Sequence, residues 1–170
     1  MNVNDKIKKA KIKLFRAQYG LQFFGALSYK FDWSPEPMSD EIEGYVLFDK
    51  LELDKSADGT IHINENFIKQ YTYTHENLIA LVIHEIMHIL HKHGIRKKNR
   101  SHMIWNAACD HVVDRELKQI PHIEPFETRY NIFSRLEREI PNCSTEQAYD
   151  WLYEQAEKSN ITFTLSDNNQ

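Results

Sequence analysis

One segment of the chain must form a buried helix although it contains ionisable side chains. From Leu78 to Leu90, apolar residues occupy nearly every face of a helical wheel, which predicts a central helix surrounded by other parts of the protein. His84, Glu85 and His88 interrupt this apolar run. Burying these polar groups without partners would cost several kcal/mol, so the fold must supply something that satisfies them.

A bound metal ion would satisfy these side chains. Residues four apart lie on one helix face, so His84 and His88 can both direct a ring nitrogen at a shared ion. Glu85 lies about 100° further round the helix, where it can take a proton from water and pass it to a leaving group. The pattern is the H-E-x-x-H motif of zinc metallopeptidases. The alternative, a helix of merely hydrogen-bonded histidines, is disfavoured by the apolar surroundings.

A catalytic zinc ion usually has three protein ligands, so one more must come from elsewhere in the chain. His91 is one turn further along the same helix, and three ligands from one straight helix would splay apart. His93 and His102 are candidates, but such residues are more often loop or surface histidines. The third histidine of the metzincin motif would fall at Gly94, which excludes that motif.

A second long helix, predicted from Ser101 to Gln119, offers a better third ligand. Its polar residues Asn106, Asp110 and Asp114 recur every four positions in an otherwise apolar sequence. Asp110 is our candidate for the third ligand. Asp114 and Asn106 would support the site from behind, with Asp114 accepting a hydrogen bond from the free nitrogen of a ligand histidine.

Other segments predict an α+β fold with a small, mostly antiparallel sheet packed on the metal helix and its partner helix. The expected strands cover Ser28–Trp33, Gly44–Phe48 and Thr60–Asn64, and the last of these is the candidate edge strand for substrate. The expected helices cover 5–26, 65–70, 74–93, 101–119 and 144–158, with Thr74 as an N-cap, Gly94 as a C-terminal stop, and Ser144 and Gln147 as a capping box.

Length and composition restrict the possible classes of protein. With 170 residues, we expect a single domain over 1–158 and a flexible C-terminal tail over 159–170. Two cysteines and the absence of an apolar signal segment favour a reducing compartment, so we expect a soluble, cytoplasmic protein without a membrane span. The net charge of −4 gives no global reason to expect nucleic acid binding, and Arg96 to Arg100 is more simply a solvated basic turn.

Several motifs resemble a metallopeptidase family of bacteria and phages whose members are often joined to a von Willebrand factor A-like domain. The motifs are His84-Glu85-x-x-His88, His93-x-x-Arg96 and Trp105-Asn106-x-Ala108-Cys109-Asp110. The segment Asp58 to Phe67 and the helix Ser144 to Leu152, with Glu146 and Tyr149, add to the resemblance, which extends from about Tyr19 to Leu152.

The resemblance implies a zincin-like fold, zinc on His84, His88 and Asp110, and proteolytic activity on a peptide or protein. The family usually has asparagine at the position of Asp114, so the role of Asp114 rests on helical spacing. The sequence stops where the von Willebrand-like domain would begin, and we therefore expect a free-standing bacterial or phage form.

We predict a zinc-dependent peptidase in which zinc-activated water attacks a peptide carbonyl, with Glu85 as general base and acid. The alternative is a metal-containing binding module that recognises a protein without cleaving it. The presence of Glu85 argues against that alternative, because a structural site needs no base. His102 and Tyr130 are open guesses for a donor to the developing oxyanion.

Overall fold

The computed structural model describes residues 2–16, 21–38, 44–47, 60–71, 75–121, 123 and 132–159. In chain order the described elements are α1 (Val3–Arg16), α2 (Gln22–Ser28), β1 (Asp32–Glu36), β2 (Gly44–Leu47), β3 (Thr60–Asn64), α3 (Glu65–Tyr71), α4 (His75–Leu90), α5 (His93–Arg96), α6 (His102–Leu117), α7 (Ile132–Glu139) and α8 (Thr145–Ser159). The N-cap predicted at Thr74 and most of the predicted tail lie outside the described residues.

The three described strands form one sheet in the order β1-β3-β2. β1 pairs with β3 in parallel and β2 pairs with β3 in antiparallel orientation, so the predicted α+β class is confirmed but this sheet is mixed rather than mostly antiparallel. The strand Thr60–Asn64 has the predicted bounds, and its alternate residues Ile61 and Ile63 are fully buried. Our choice of this strand as the substrate edge was wrong, because neighbours occupy its backbone hydrogen bonds on both sides.

Helix α4 lies at the centre of the larger core, as its apolar sequence predicts. The residues from Leu78 to Met87 are buried, and α1, α2, α6 and β2 all pack against this helix. Fully burying a leucine or isoleucine side chain stabilises the fold by about 1.5–3 kcal/mol. The buried apolar residues of α4 therefore stabilise the fold on all sides of its polar residues.

The predicted single helix over residues 5–26 is instead two helices that pack against each other. A Cβ atom on Gly25 would lie 2.4 Å from Cα of Phe15, so α2 approaches α1 more closely than any other residue at this position would permit. The predicted strand start at Ser28 is also wrong. Ser28 ends α2, its hydroxyl donates to the carbonyl of Gly25, and the strand begins at Asp32.

A second core forms where α6 packs on α8, with α7 against α8. Helix α8 begins with the predicted capping box, since the Ser144 amide donates to Gln147 and the Gln147 amide donates back to the Ser144 hydroxyl. Helix α7 was not predicted, since it is short and only two of its residues, Phe133 and Leu136, are buried. Helix α6 contributes Val113 to the first core and residues such as Trp105 to the second.

Candidate metal centre

The polar residues of α4 and α6 meet where these two helices pack together. The two Nε2 atoms of His84 and His88 lie 2.9 Å apart. Oδ1 of Asp110 lies 3.2 Å from Nε2 of His88 and 3.6 Å from Nε2 of His84. The structure thus brings together the three residues that the sequence analysis named as metal ligands.

The spacing of these donor atoms suits a small tetrahedral cation. An ion held at ~2.0–2.1 Å by nitrogen and oxygen in tetrahedral geometry keeps its donor atoms about 3.3 Å apart. The three measured separations of 2.9, 3.2 and 3.6 Å scatter around that value. Two imidazole nitrogens at 2.9 Å also need a proton or a cation between them. A divalent metal fits both requirements.

Two further α6 residues support this cluster from outside it. Nδ1 of His84 lies 3.3 Å from Oδ1 of the buried Asp114, so this nitrogen can donate and leave Nε2 with a free lone pair. The amide of Asn106 donates to Oδ2 of Asp110 over 3.2 Å, which leaves Oδ1 facing the histidines. Asp114 and Asn106 therefore lie where the sequence analysis expected supporting residues.

The electrostatics reflect the closeness of these charges. Burial opposes protonation of His84, but hydrogen bonds with Asp110 and Asp114 and the charge of Glu85 raise its pKa well above the ordinary value. Burial, together with the charge of His84, lowers the pKa of His88 despite the opposing effect of Asp110. Burial opposes ionisation of Asp110, yet hydrogen bonds from both histidines hold its pKa well below the usual range.

Glu85 is buried beside His84, with only 3% of its surface exposed. It directly follows His84 in α4, and its negative charge contributes to the raised pKa of His84. The cluster opens to solvent on the α6 side, since Asn106 is exposed and the Asp110 side chain is 25% exposed against 9% for His84. A substrate would have to approach from this side.

The other histidines considered for the third ligand position lie elsewhere. Nε2 of His91 contacts Oε2 of Glu116 at 2.8 Å, and His102 is exposed at the start of α6. His93 is not a surface residue, because it is 3% exposed and lies behind His88 with its Nδ1 3.1 Å from Nδ1 of that residue. Tyr130, one of the guessed oxyanion donors, lies outside the described residues.

The turn after α4 differs from the predicted stop at Gly94. Lys92 adopts the left-handed conformation, with φ of 55°, and Gly94 lies inside the short helix α5. This reversal returns the chain toward α4, so that His93 faces His88. Nothing in the local sequence indicates a left-handed lysine, which explains why the burial of His93 was missed.

A second polar cluster joins α5 to α8, and it also was missed. We call it the Arg96 cluster, and it consists of Arg96, Arg100, Glu146 and Tyr149. Nε and Nη2 of Arg96 donate to the two carboxylate oxygens of Glu146 at 3.0 and 2.6 Å. The Arg100 guanidinium lies 5.5 Å from the centre of the Tyr149 ring. The predicted solvated turn from Arg96 to Arg100 is therefore partly an interface between helices.

Comparison with known families adds an independent observation. The family model described as "Putative metallopeptidase domain" matches residues 49–167. The chain belongs to this family. The resemblance predicted from the motifs is confirmed, and the matched region includes all of α4, α6 and α8. No curated protein and no solved structure matches the chain.

Membership of this metallopeptidase family indicates a metal-dependent peptidase, with a metal cofactor and a peptide or protein substrate. The clustered histidine and carboxylate donors agree with that cofactor requirement. Within the described parts of the chain, every helix is too short or too polar to cross a lipid bilayer.

Proposed function

We propose that this protein is a zinc-dependent peptidase that holds its metal through His84, His88 and Asp110. The observation that carries the proposal is the convergence of three donor atoms from two packed helices, all within 4.8 Å of one another, beside the buried Glu85. Two imidazoles and one carboxylate are a donor set typical of catalytic zinc, and a tetrahedral ion with three protein ligands retains one open position.

Bound at this site, zinc would supply Lewis acidity toward the peptide carbonyl and toward water. The protein supplies the proton transfers. Glu85 takes one proton from the attacking water and then donates it to the nitrogen of the departing amine, so that the bond between carbon and nitrogen breaks. The remaining OH of the water becomes part of the new carboxyl group, and Glu85 returns to its ionised form. Asp114 and Asn106 hold His84 and Asp110 in the orientations that this chemistry needs.

The substrate would bind as an extended peptide along an edge of the sheet. Among the described strands, β3 lies in the middle and β1 and β2 form the two edges. β2 is the described edge strand that packs against α4, and among the described strands its antiparallel partner β3 uses only one of its two backbone edges. We therefore assign substrate binding to β2, the described edge strand that packs against the metal helix.

We also propose that the chain has a zincin-like fold and forms a single domain over residues 1–158. A metal helix flanked by a small sheet and a second ligand-bearing helix supports a zincin-like arrangement. Helix α1 packs on α4, so the chain before the family match shares the larger core, and a single domain over 1–158 is consistent with that packing. A cytoplasmic bacterial or phage setting remains part of the proposal.

The decisive experiment replaces Glu85 and measures metal content and hydrolysis together. A Glu85→Gln variant keeps the size of the side chain but cannot accept a proton. It should retain one zinc ion per chain and its fold, while cleavage of fluorescently labelled casein falls by roughly 10²–10⁴-fold. Glu154→Gln, a change in an exposed carboxylate on α8, is the matched control and should cleave normally.

Two results would overturn the proposal. Cleavage by Glu85→Gln at the wild-type rate would show that this residue is not the base. Zinc-loaded wild-type protein that retains casein on a column without cutting it would favour the binding module instead.

A further inference from the structure

His93 occupies a buried position directly behind one of the proposed ligands. The two nitrogens of the His88 ring face different partners. Nε2 faces His84 and Asp110, whereas Nδ1 lies 3.1 Å from Nδ1 of His93. On its other side, Nε2 of His93 lies 3.3 Å from the hydroxyl oxygen of Thr145, the first residue of α8. These three residues form a chain of contacts from the proposed metal to the second core.

The direction of the hydrogen bonds in this chain follows from simple proton counting. A neutral histidine carries one ring proton, and a nitrogen that binds a metal must carry none. If Nε2 of His88 binds the metal, its proton is on Nδ1, which then donates to His93. Nδ1 of His93 must therefore be unprotonated, so its own proton is on Nε2, which donates to the Thr145 hydroxyl.

We propose that His93 is a positioning residue for the metal centre: it accepts a hydrogen bond from His88 and thereby holds the His88 ring with Nε2 directed at the metal. This inference rests on the proposed function of the His84, His88 and Asp110 site. It gives a role to a buried histidine that is not one of the proposed ligands of that site.

The surroundings of His93 hold it in place for this role. The left-handed turn at Lys92 directs it back toward α4, and the indole of the buried Trp105 donates to its carbonyl oxygen over 3.0 Å. The His91 ring stacks on the His93 ring, with 5.1 Å between their centres. Because these contacts fix the position of His93, its hydrogen bond can fix the orientation of the His88 ring. Such support behind a ligand histidine strengthens metal binding.

The two ligand histidines therefore have different supports. A carboxylate, Asp114, lies behind His84, whereas a neutral imidazole lies behind His88. One other arrangement uses the same atoms, because His88, His93 and Cys109 also form a compact group of possible ligands. A metal in that group would compete with the hydrogen bond between His88 and His93 and would need the Cys109 thiol as a ligand, so Cys109→Ser separates the two arrangements.

The test compares two substitutions of His93 that differ in one property. His93→Asn places an amide oxygen near the position of Nδ1 and can still accept from His88. His93→Phe fills the same volume but accepts nothing. Zinc affinity is measured by competition with a chromophoric chelator, and folding is followed by thermal melting in excess EDTA.

We expect His93→Phe to weaken zinc binding by roughly 10–100-fold and His93→Asn to retain most of the wild-type affinity. The matched control is His102→Phe, which makes the same substitution at an exposed position at the start of α6 and should leave affinity unchanged. Wild-type affinity in His93→Phe, or equal losses in the phenylalanine and asparagine variants, would overturn the proposal. Loss of the zinc ion, or of a second one, in Cys109→Ser would also overturn it.

Two further variants keep the test decisive. If His93→Phe does not fold, Thr145→Val removes the acceptor for His93 with almost no change in shape, and it should lower zinc affinity while Thr145→Ser does not. Equal affinity in the valine and serine variants would then count against the role of His93. His88→Ala tests the underlying site separately, because unchanged zinc content in that variant would refute the metal site itself.

Discussion

The metal centre and the Arg96 cluster are both polar, and both join helices, but their hydrogen-bonding is of opposite kinds. In the Arg96 cluster, two guanidinium N–H groups of Arg96 donate to the two carboxylate oxygens of Glu146. In the metal centre, His84, His88 and Asp110 direct acceptor atoms at one another. The first cluster is complete with protein atoms alone, whereas the second requires protons or a cation at its middle.

This difference indicates what each cluster does for the protein. Matched pairs such as Arg96 with Glu146 stabilise the packing of α5 on α8 under all conditions in which both groups are charged. A converging set of acceptors stabilises the fold only when a cation is present, so its contribution depends on metal concentration and pH. The following expectations test that contrast, in order of decreasing effect.

Metal removal should have the largest effect on stability. At a zinc concentration a thousandfold above Kd, binding to the native state adds about 4 kcal/mol to the free energy of unfolding. Removing the metal with EDTA should therefore lower the melting temperature by about 10 °C in a chain of this size. An unchanged melting curve would mean that the metal is peripheral, and the two-helix site would be wrong.

Replacing the carboxylate ligand should weaken that metal-dependent shift. Asp110→Asn leaves the size of the side chain unchanged, but a neutral amide is a poorer zinc ligand. We expect at least about a tenfold loss of zinc affinity, which removes about 1.4 kcal/mol of the metal-dependent stabilisation. The exposed His102 provides the control, since His102→Asn should show the full shift between zinc and EDTA. A full shift in Asp110→Asn would exclude this residue as a ligand.

The Arg96 cluster should respond in the opposite way. Arg96→Met keeps much of the side-chain volume and removes both bonds to Glu146 and the bond to the His91 carbonyl, which together should cost about 1–2 kcal/mol. The loss should be equal in zinc and in EDTA, because this pair is complete without a metal. If zinc abolished the loss, the two clusters would be energetically coupled rather than independent.

The effect of pH should be the smallest of the four. In the metal-free folded protein the pKa of His84 is raised above 6.5, so protonation stabilises this form at low pH and the benefit is lost as pH rises through the raised pKa. Metal binding displaces this proton. The melting-temperature difference between zinc and EDTA should therefore shrink as pH falls from 8 toward 6.5, the ordinary pKa of histidine.

The Arg96 cluster supplies the internal reference for this titration. Hydrogen bonds from Arg96 lower the pKa of Glu146, so the carboxylate stays ionised throughout this range. The cost of Arg96→Met should be the same at pH 7 and pH 8. A metal-dependent shift that grew on acidification would show that His84 does not exchange its proton for the metal.

Local sequence alone was sufficient to single out α4 and its polar residues. The four-residue spacing of His84 and His88 is set by helix geometry, and burial follows from the apolar residues around them. The strand Thr60–Asn64 and the capping box at Ser144 are equally local, because alternation and capping involve neighbours in the chain. Asp110 could be named because a second polar stripe in an apolar helix also needs a partner.

The tertiary structure decided which distant segments meet. The middle position of β3 depends on pairing with β1 and β2, which no residue within the strand specifies. The packing of α2 on α1 depends on one glycine, and the return of His93 to His88 depends on one left-handed lysine. Local periodicity reports which side of an element is apolar, but contacts between elements depend on the free energy of the whole packed chain. The partners of His93 and Arg96 could therefore be known only from the folded protein.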